Sequence, residues 1–78
     1  MSAMLVAFNN KRYAELLATY LPRVPEDDIA NERLIKILLD FEQRKSLSPE
    51  EEVLVGSITV MVEHYEHEHY PIEKTSPG

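Results

Sequence analysis

The segment that begins at Ser48 most constrains the fold, because it carries the signature of a long amphipathic helix. Ser48-Pro49-Glu50-Glu51 reads as a capping box, with serine at the N-cap, proline at the first helical position and glutamate at the third. Apolar residues then recur at helical spacing, at Leu54, Ile58, Met61, Val62 and Tyr65. The pattern continues to about His67 and stops before Pro71, so the sequence predicts one helix across this segment.

The same helix carries a second apolar row, formed by Val53, Gly56, Val60 and His64 and extended sideways by Val55 and Thr59. A helix with so wide an apolar surface is usually covered on more than one side. Two short helices can cover one side only, so we expect the rest to pack against a second copy or a partner protein. We predict that Leu54, Ile58 and Met61 face inward. Four residues are predicted near the partner surface: Val55, Thr59, Val62 and Tyr65.

Two shorter helices are predicted before this one. The first runs from about Asn10 to Leu21, with Asn9 or Asn10 as N-cap, and Pro22 and Pro25 end it. Its apolar positions are Tyr13, Leu16, Leu17 and Tyr20.

Acidic residues open the second helix, where they meet the positive end of the helix dipole: Glu26, Asp27 and Asp28. This helix is expected to stop near Lys45, with Arg44 and Lys45 in its last turn. Its apolar stripe consists of Ala30, Leu34, Ile37, Leu38 and Phe41.

The predicted fold class is therefore all-α, with three helices. Helices two and three are expected to form an antiparallel hairpin joined by Ser46-Leu47, with helix one packed across them and the whole associating into a helical dimer. We divide the chain into an N-terminal lead (1–9), a helical domain (10–72) and the start of a linker (73–78).

Size and charge narrow the possible functions. A chain of 78 residues has a marginal core, and without cysteine it has no disulfide to support it. A second copy of the chain, giving a homodimer, or another partner protein is the remaining common route to stability. The net charge of −6 argues against direct DNA or RNA binding, which draws on a basic surface. An acidic surface instead suits docking to a basic protein.

The hydropathy pattern gives no membrane segment. The longest apolar run, Met4 to Phe8, is far shorter than the ~20 residues that span a bilayer, and the N-terminus lacks the basic start of a secretory signal. We therefore expect a cytoplasmic protein.

Catalysis is not predicted, because the chain has no glycine-rich phosphate loop, no cysteine nucleophile and no serine in a recognisable nucleophile context. The histidines His64, His67 and His69 lie among glutamates, and imidazole with carboxylate is a zinc ligand set. Their spacing lacks the zinc-protease pattern of two histidines four apart. We interpret them as a solvated or interface-lining helix end, with His64 and His67 as weak metal candidates, and expect no cofactor.

Two motifs stand out at the start and the end of the third helix: Leu47-Ser48-Pro49-Glu50-Glu51-Glu52 and Tyr65-Glu66-x-x-His69-Tyr70-Pro71-Ile72. Together they resemble the N-terminal half of HigA-type antitoxins, which are helix-turn-helix transcriptional regulators. Tyr13-Ala14-Glu15-Leu16-Leu17 and Tyr20-Leu21-Pro22 are similar to that family's first helix, so the likeness spans roughly Asn10 to Ile72. The family-motif residues are Ser48, Glu51, Tyr65, Glu66, His69, Tyr70 and Pro71.

The resemblance implies a role in dimerisation, in binding the cognate toxin, or in both. HigB-type toxins are basic proteins that cleave messenger RNA, and an acidic module suits docking to one. DNA binding in that family belongs to a helix-turn-helix domain that follows the linker, and this chain is expected to lack it. Two alternatives remain open, a free-standing dimerising regulator without a toxin and a histidine-dependent metal binder.

Overall fold

The computed structural model describes residues 7–70. Within that range it contains three helices and no strand: α1 (Asn10–Tyr20), α2 (Asp28–Glu42) and α3 (Pro49–His69). The prediction of an all-α chain is confirmed for this range. Residues 1–6 of the predicted lead, Pro71, Ile72 and the predicted linker at 73–78 lie outside the described residues.

Helix α1 begins at a side-chain cap and ends one residue before the predicted Leu21. The Asn9 side chain accepts a hydrogen bond from the Arg12 amide at 3.0 Å. Leu21 follows the helix in the left-handed region (φ 47°, ψ 57°), which costs a non-glycine residue about 1–2 kcal/mol. The Arg33 guanidinium of α2 donates to the carbonyls of Tyr20 (2.9 Å) and Leu21 (2.8 Å), and so satisfies acceptors that the helix leaves free.

Helix α2 ends earlier than predicted. Asp27 caps its start by accepting from the Ala30 amide at 2.8 Å. The amides of Gln43 and Arg44 bond to carbonyls three residues back, at 3.3 and 3.1 Å, and these shorter turns close the helix at Glu42. The prediction that Arg44 and Lys45 occupy the last turn is therefore wrong, since both follow the helix.

Helix α3 has the predicted capping box. The Ser48 hydroxyl accepts from the Glu51 amide at 3.2 Å, while Glu51 Oε1 accepts from the Ser48 amide at 2.9 Å. The helix continues to His69, two residues beyond the predicted end, and the Tyr70 amide donates to the Glu66 carbonyl at 2.7 Å. None of the helices within residues 7–70 is long and apolar enough to cross a membrane.

Helices α1 and α2 both pack against α3, and the core lies between them. Leu54 and Ile58 are fully buried, as predicted, whereas Met61 is half-buried at the edge of the core. The core residues are Leu16, Leu34, Phe41, Leu54, Ile58 and Val62. Helices α1 and α2 both pack against the side of α3 that carries Leu54 and Ile58. The opposite face of α3 is therefore open among the described residues.

Candidate interaction surface

The open face of α3 carries an apolar row, which we call the outer row: Val53, Gly56, Val60 and His64. Val53 is 45% exposed and Val60 is 64% exposed. A Cβ atom built on Gly56 would meet no heavy atom within 4 Å, so the helix backbone itself is accessible there. At 100° per residue these positions lie on the side opposite Leu54 and Ile58, which is why the core does not cover them.

The four residues predicted near a partner occupy two different environments. Val62 and Tyr65 are only 7% and 4% exposed, so they have little surface left for a partner in this arrangement. Val55 and Thr59 are half-buried, and the Thr59 hydroxyl donates to the Val55 carbonyl at 2.8 Å. They border a shallow groove of about 110 Å³ between α2 and α3. Sequence periodicity predicted how wide the apolar surface of α3 is, but it did not predict which part of that surface α1 and α2 cover.

The second family motif forms a cluster at the end of α3, which we call the tyrosine clamp: Asp28, Tyr65, His69 and Tyr70. The hydroxyls of Tyr65 and Tyr70 both donate to Oδ1 of Asp28 at 2.7 Å. The His69 ring stacks on the Tyr65 ring, with centroids 4.1 Å apart and planes 21° apart. The clamp therefore fixes the last turn of α3 to the first turn of α2, while the motif residue Glu66 is exposed.

Hydrogen bonding sets the protonation states within the clamp. The bonds from Tyr70 and Tyr65 hold the pKa of the Asp28 carboxyl below its usual value. In return, the bond to Asp28 raises the pKa of Tyr65 to about 12 and also raises the pKa of Tyr70. At neutral pH the clamp consists of a carboxylate and two neutral phenols, an arrangement that stabilises structure rather than one that activates a nucleophile.

The first family motif forms a second polar junction at the other end of α3. Glu51 Oε2 accepts from Arg44 at 3.2 Å, and Arg12 of α1 lies 3.8 Å from the same oxygen. Arg44 also donates to Asp40 at 2.9 Å and lies over the Phe41 ring, 4.2 Å from its centroid. Ser48 and Glu51 therefore cap α3, and Glu51 also connects it to Arg12 of α1 and to Arg44, which follows α2.

Glu50, next to this junction, is buried and accepts a hydrogen bond from the Asn9 amide at the start of α1. That bond lowers the pKa of its carboxyl. The carboxylate therefore joins the beginnings of α1 and α3.

The predicted metal candidates do not converge with other ligands. His64 and His67 are exposed, and His64 lies 4.0 Å from Glu68 on the next turn. Within residues 7–70, no three histidine, aspartate or glutamate side chains come close enough together to hold a metal ion.

Sequence reasoning missed the tertiary roles of several charged residues, among them Asp28, Arg33, Arg44 and Glu50. Asp28 had been interpreted as a charge at the helix N-terminus and Arg44 as a cation in the last turn. Both interpretations are local, whereas the observed roles depend on which helix ends meet in space. Asp28 and Arg44 stand at the two ends of α2 whereas Arg33 lies inside it, and no local pattern identifies their partners.

Comparison with protein-family models, with curated protein sequences and with solved structures finds no match to this chain. The class that the described residues define is a small three-helix protein with an exposed apolar row. The resemblance to HigA-type antitoxins stays a prediction that rests on the two motifs and on the likeness of the first helix.

Proposed function

We propose that this chain is a helical interaction domain, corresponding to the N-terminal domain of a HigA-type antitoxin regulator. It works by dimerisation, by toxin binding or by both. The observation that carries the proposal is the outer row, because solvent-exposed valines beside an accessible glycine backbone are typical of a surface that another protein covers.

The polar contacts support a binding role rather than an enzymatic one. Ser48, Glu51, Tyr65 and Tyr70 of the family motifs take part in capping or in contacts between helices, and His69 stacks on Tyr65 within α3. Side chains used in this way preserve the shape of a surface instead of acting on a substrate.

Contacts at both ends support an antiparallel hairpin of α2 and α3. Arg44, which follows α2, bonds to Glu51 in the first turn of α3, whereas Asp28 at the start of α2 bonds to Tyr65 near the end of α3. In this hairpin the outer row lies on the side of α3 away from α2, available to a partner.

Charge supports a basic partner for the toxin-binding role. The net charge is −6, and Glu52 and Glu63 are exposed beside the outer row. Opposite charge accelerates association and disfavours acidic competitors. DNA binding would require a helix-turn-helix domain other than these three helices, and the proposed location is the cytoplasm.

The test is light scattering of the chain across a dilution series, with and without a chelator, followed by titration with a basic HigB-type toxin. A chelator-insensitive mass of twice 9.0 kDa supports dimerisation, and saturable toxin binding supports the antitoxin role. A chain that is monomeric throughout and binds no such toxin contradicts the proposal. A dimer whose gene has no adjacent toxin gene would favour a free-standing regulator.

A further inference from the structure

We propose that a groove between the end of α1 and the side of α2 binds a short peptide segment in which a carboxylate stands beside an apolar side chain. The groove is distinct from the outer row, which lies on α3, and its ligand is opposite in charge to a basic toxin. The proposal therefore goes beyond the proposed function and does not depend on it.

The groove is an open cavity of about 650 Å³, a volume within the range of pockets that hold small ligands. Its apolar wall comes from α1 and from the turn that follows it, and its charged wall is formed by two arginines. The lining residues are Leu17, Leu21, Pro22, Arg23 and Arg33. A ligand that fills this groove must therefore present apolar surface together with negative charge.

Leu21 stands in a backbone conformation that favours glycine, and its side chain is not part of the core. Its φ of 47° lies in the left-handed region, and glycine is the usual residue at this position after a helix. The side chain is 63% exposed, so burial in the monomer does not explain why a leucine is found there. Strained backbone of this kind clusters at sites that bind ligands. The structure offers this side chain one role, which is to line the groove.

Arg33 is held in position before any ligand binds. Its guanidinium donates to the carbonyls of Tyr20 at 2.9 Å and of Leu21 at 2.8 Å, and these bonds fix the planar group in the wall of the groove. A guanidinium has more N–H groups than these two bonds use, so it can still donate to a carboxylate. A donor that is already ordered loses little side-chain entropy when a ligand binds, which favours affinity.

The positive charge of the groove is not paired with carboxylates of the described chain. The ion pairs within residues 7–70 involve other basic residues: Arg12, Arg44 and His64. Neither Arg23 nor Arg33 has a carboxylate oxygen within 4 Å in that range. Two such arginines in the wall of one groove create a local positive potential on a chain of net charge −6, and this potential attracts an acidic ligand.

Two acidic residues near the groove determine the side from which a ligand carboxylate approaches. Glu26 and Asp27 line a smaller recess of about 110 Å³, which shares both arginines with the groove. Neither carboxylate lines the groove itself, and Asp27 is engaged as the N-cap of α2. A ligand carboxylate is therefore repelled on the recess side and attracted on the side of Leu17 and Leu21.

Selection from a display library of random short peptides, with the wild-type chain as bait, tests the class of ligand. The selected peptides are expected to include a group that contains an aspartate or glutamate beside a leucine, isoleucine or phenylalanine. Fluorescence polarisation should show that binding of these peptides weakens at least fivefold when the acidic residue is replaced by its amide. A selection that yields no such acidic peptide overturns the proposal.

Two substitutions in the groove test where the selected peptides bind. Arg23→Glu should weaken binding at least tenfold, whereas Lys11→Glu, the same change of charge near the start of α1, should leave it unchanged. Leu21→Gly should weaken binding at least fivefold without lowering the urea midpoint of unfolding, because glycine relieves the left-handed strain. Loss of binding in a chain that keeps its stability separates a binding role from a structural one.

Three results would overturn the assignment to this groove. They are binding that survives Arg23→Glu, binding that Lys11→Glu weakens equally, and a Leu21→Gly chain that unfolds at lower urea, which would mean that the leucine serves the fold. Dimerisation and toxin binding through the outer row would be unaffected by any of them, because none of these substitutions lies on α3.

Discussion

Single side chains in this protein hold the helix ends together. Asp28 is the clearest case, because one carboxylate oxygen accepts hydrogen bonds from two tyrosines, one within the last turns of α3 and one just after it. Charge-assisted hydrogen bonds of this kind are stronger than those between neutral groups. The stability of the clamp should therefore depend on the protonation states of the Asp28 carboxyl and of the Tyr65 and Tyr70 hydroxyls.

The dependence of Tm on pH under alkaline conditions tests the contribution of the tyrosine clamp to stability. Tyr65 has a pKa of about 12 in the folded protein, against 10.0 when free, so the unfolded chain loses its proton first. The contribution of Tyr65 is fully present below pH 10 and is lost as the pH rises from about 10 to about 12. Thermal unfolding across this range should show a fall in Tm for the wild type.

The control for this measurement is a pair of tyrosine variants. Tyr65→Phe should have a lower Tm at pH 8 and a flatter decline above pH 10, because it lacks the hydroxyl that binds Asp28. Tyr13→Phe, at a half-buried tyrosine of α1, should keep the decline of the wild type. Equal alkaline profiles for Tyr65→Phe and the wild type would show that the bond to Asp28 does not contribute to stability.

Low pH should also weaken the tyrosine clamp, because it protonates the Asp28 carboxylate. The pKa of the Asp28 carboxyl is lowered in the folded protein, so its contribution is present above the unfolded value of 3.8 and is lost as the pH falls through the lower folded value. Asp28→Asn should therefore lower Tm at pH 7 and differ little from the wild type in strong acid. A constant difference at every pH would contradict the linkage.

A substitution at Gly56 is predicted to stabilise the monomer, whereas the substitutions at Tyr65 and Asp28 are predicted to destabilise it. Replacing glycine with alanine inside a helix stabilises it by about 0.8–1 kcal/mol, and no neighbour obstructs the new methyl group. Urea unfolding of Gly56→Ala, at concentrations where the chain is monomeric, should show that gain. A destabilised monomer would mean that part of the chain covers Gly56.

At the scale of the helices, the sequence predicted what depends on neighbouring residues and misjudged what depends on distant ones. The start of α3 was predicted correctly, because a capping box is formed by four consecutive residues. The end of α2 was placed too late, because Arg44 leaves the helix to reach Glu51 and Tyr20 in the other two helices. Leu21 leaves the helical conformation next to Pro22, where Arg33 binds its carbonyl.

The capping box provides the test at this scale. Ser48→Ala removes the hydroxyl that accepts the Glu51 amide, and loss of an N-cap costs about 1 kcal/mol. Ser46→Ala, in the exposed segment before the cap, should be neutral. Urea unfolding would measure both, and equal stability of the two variants would show that the cap is dispensable.

For the whole molecule, the sequence predicted an apolar face that three helices cannot cover, and the exposure of Val53 and Val60 agrees with that reasoning. It did not predict the position of that face correctly in detail. Val62 and Tyr65 were assigned to a partner although they are buried, because the placement of α1 and α2 around α3 follows from tertiary contacts at both helix ends. Val53, Gly56 and Val60 were recognised as a row but were not named among the residues predicted to face a partner.

The most direct test of the account is the solution mass of three chains by light scattering over the same dilution series. They are the wild type, Val60→Glu on the outer row and Leu39→Glu on α2, where the exposed fractions of the natural residues are 64% and 51%. The account predicts a dimer that dissociates on dilution for the wild type and for Leu39→Glu, and a monomer for Val60→Glu at every concentration. Equal masses for Val60→Glu and the wild type would contradict the claim that this chain associates through the outer row of α3.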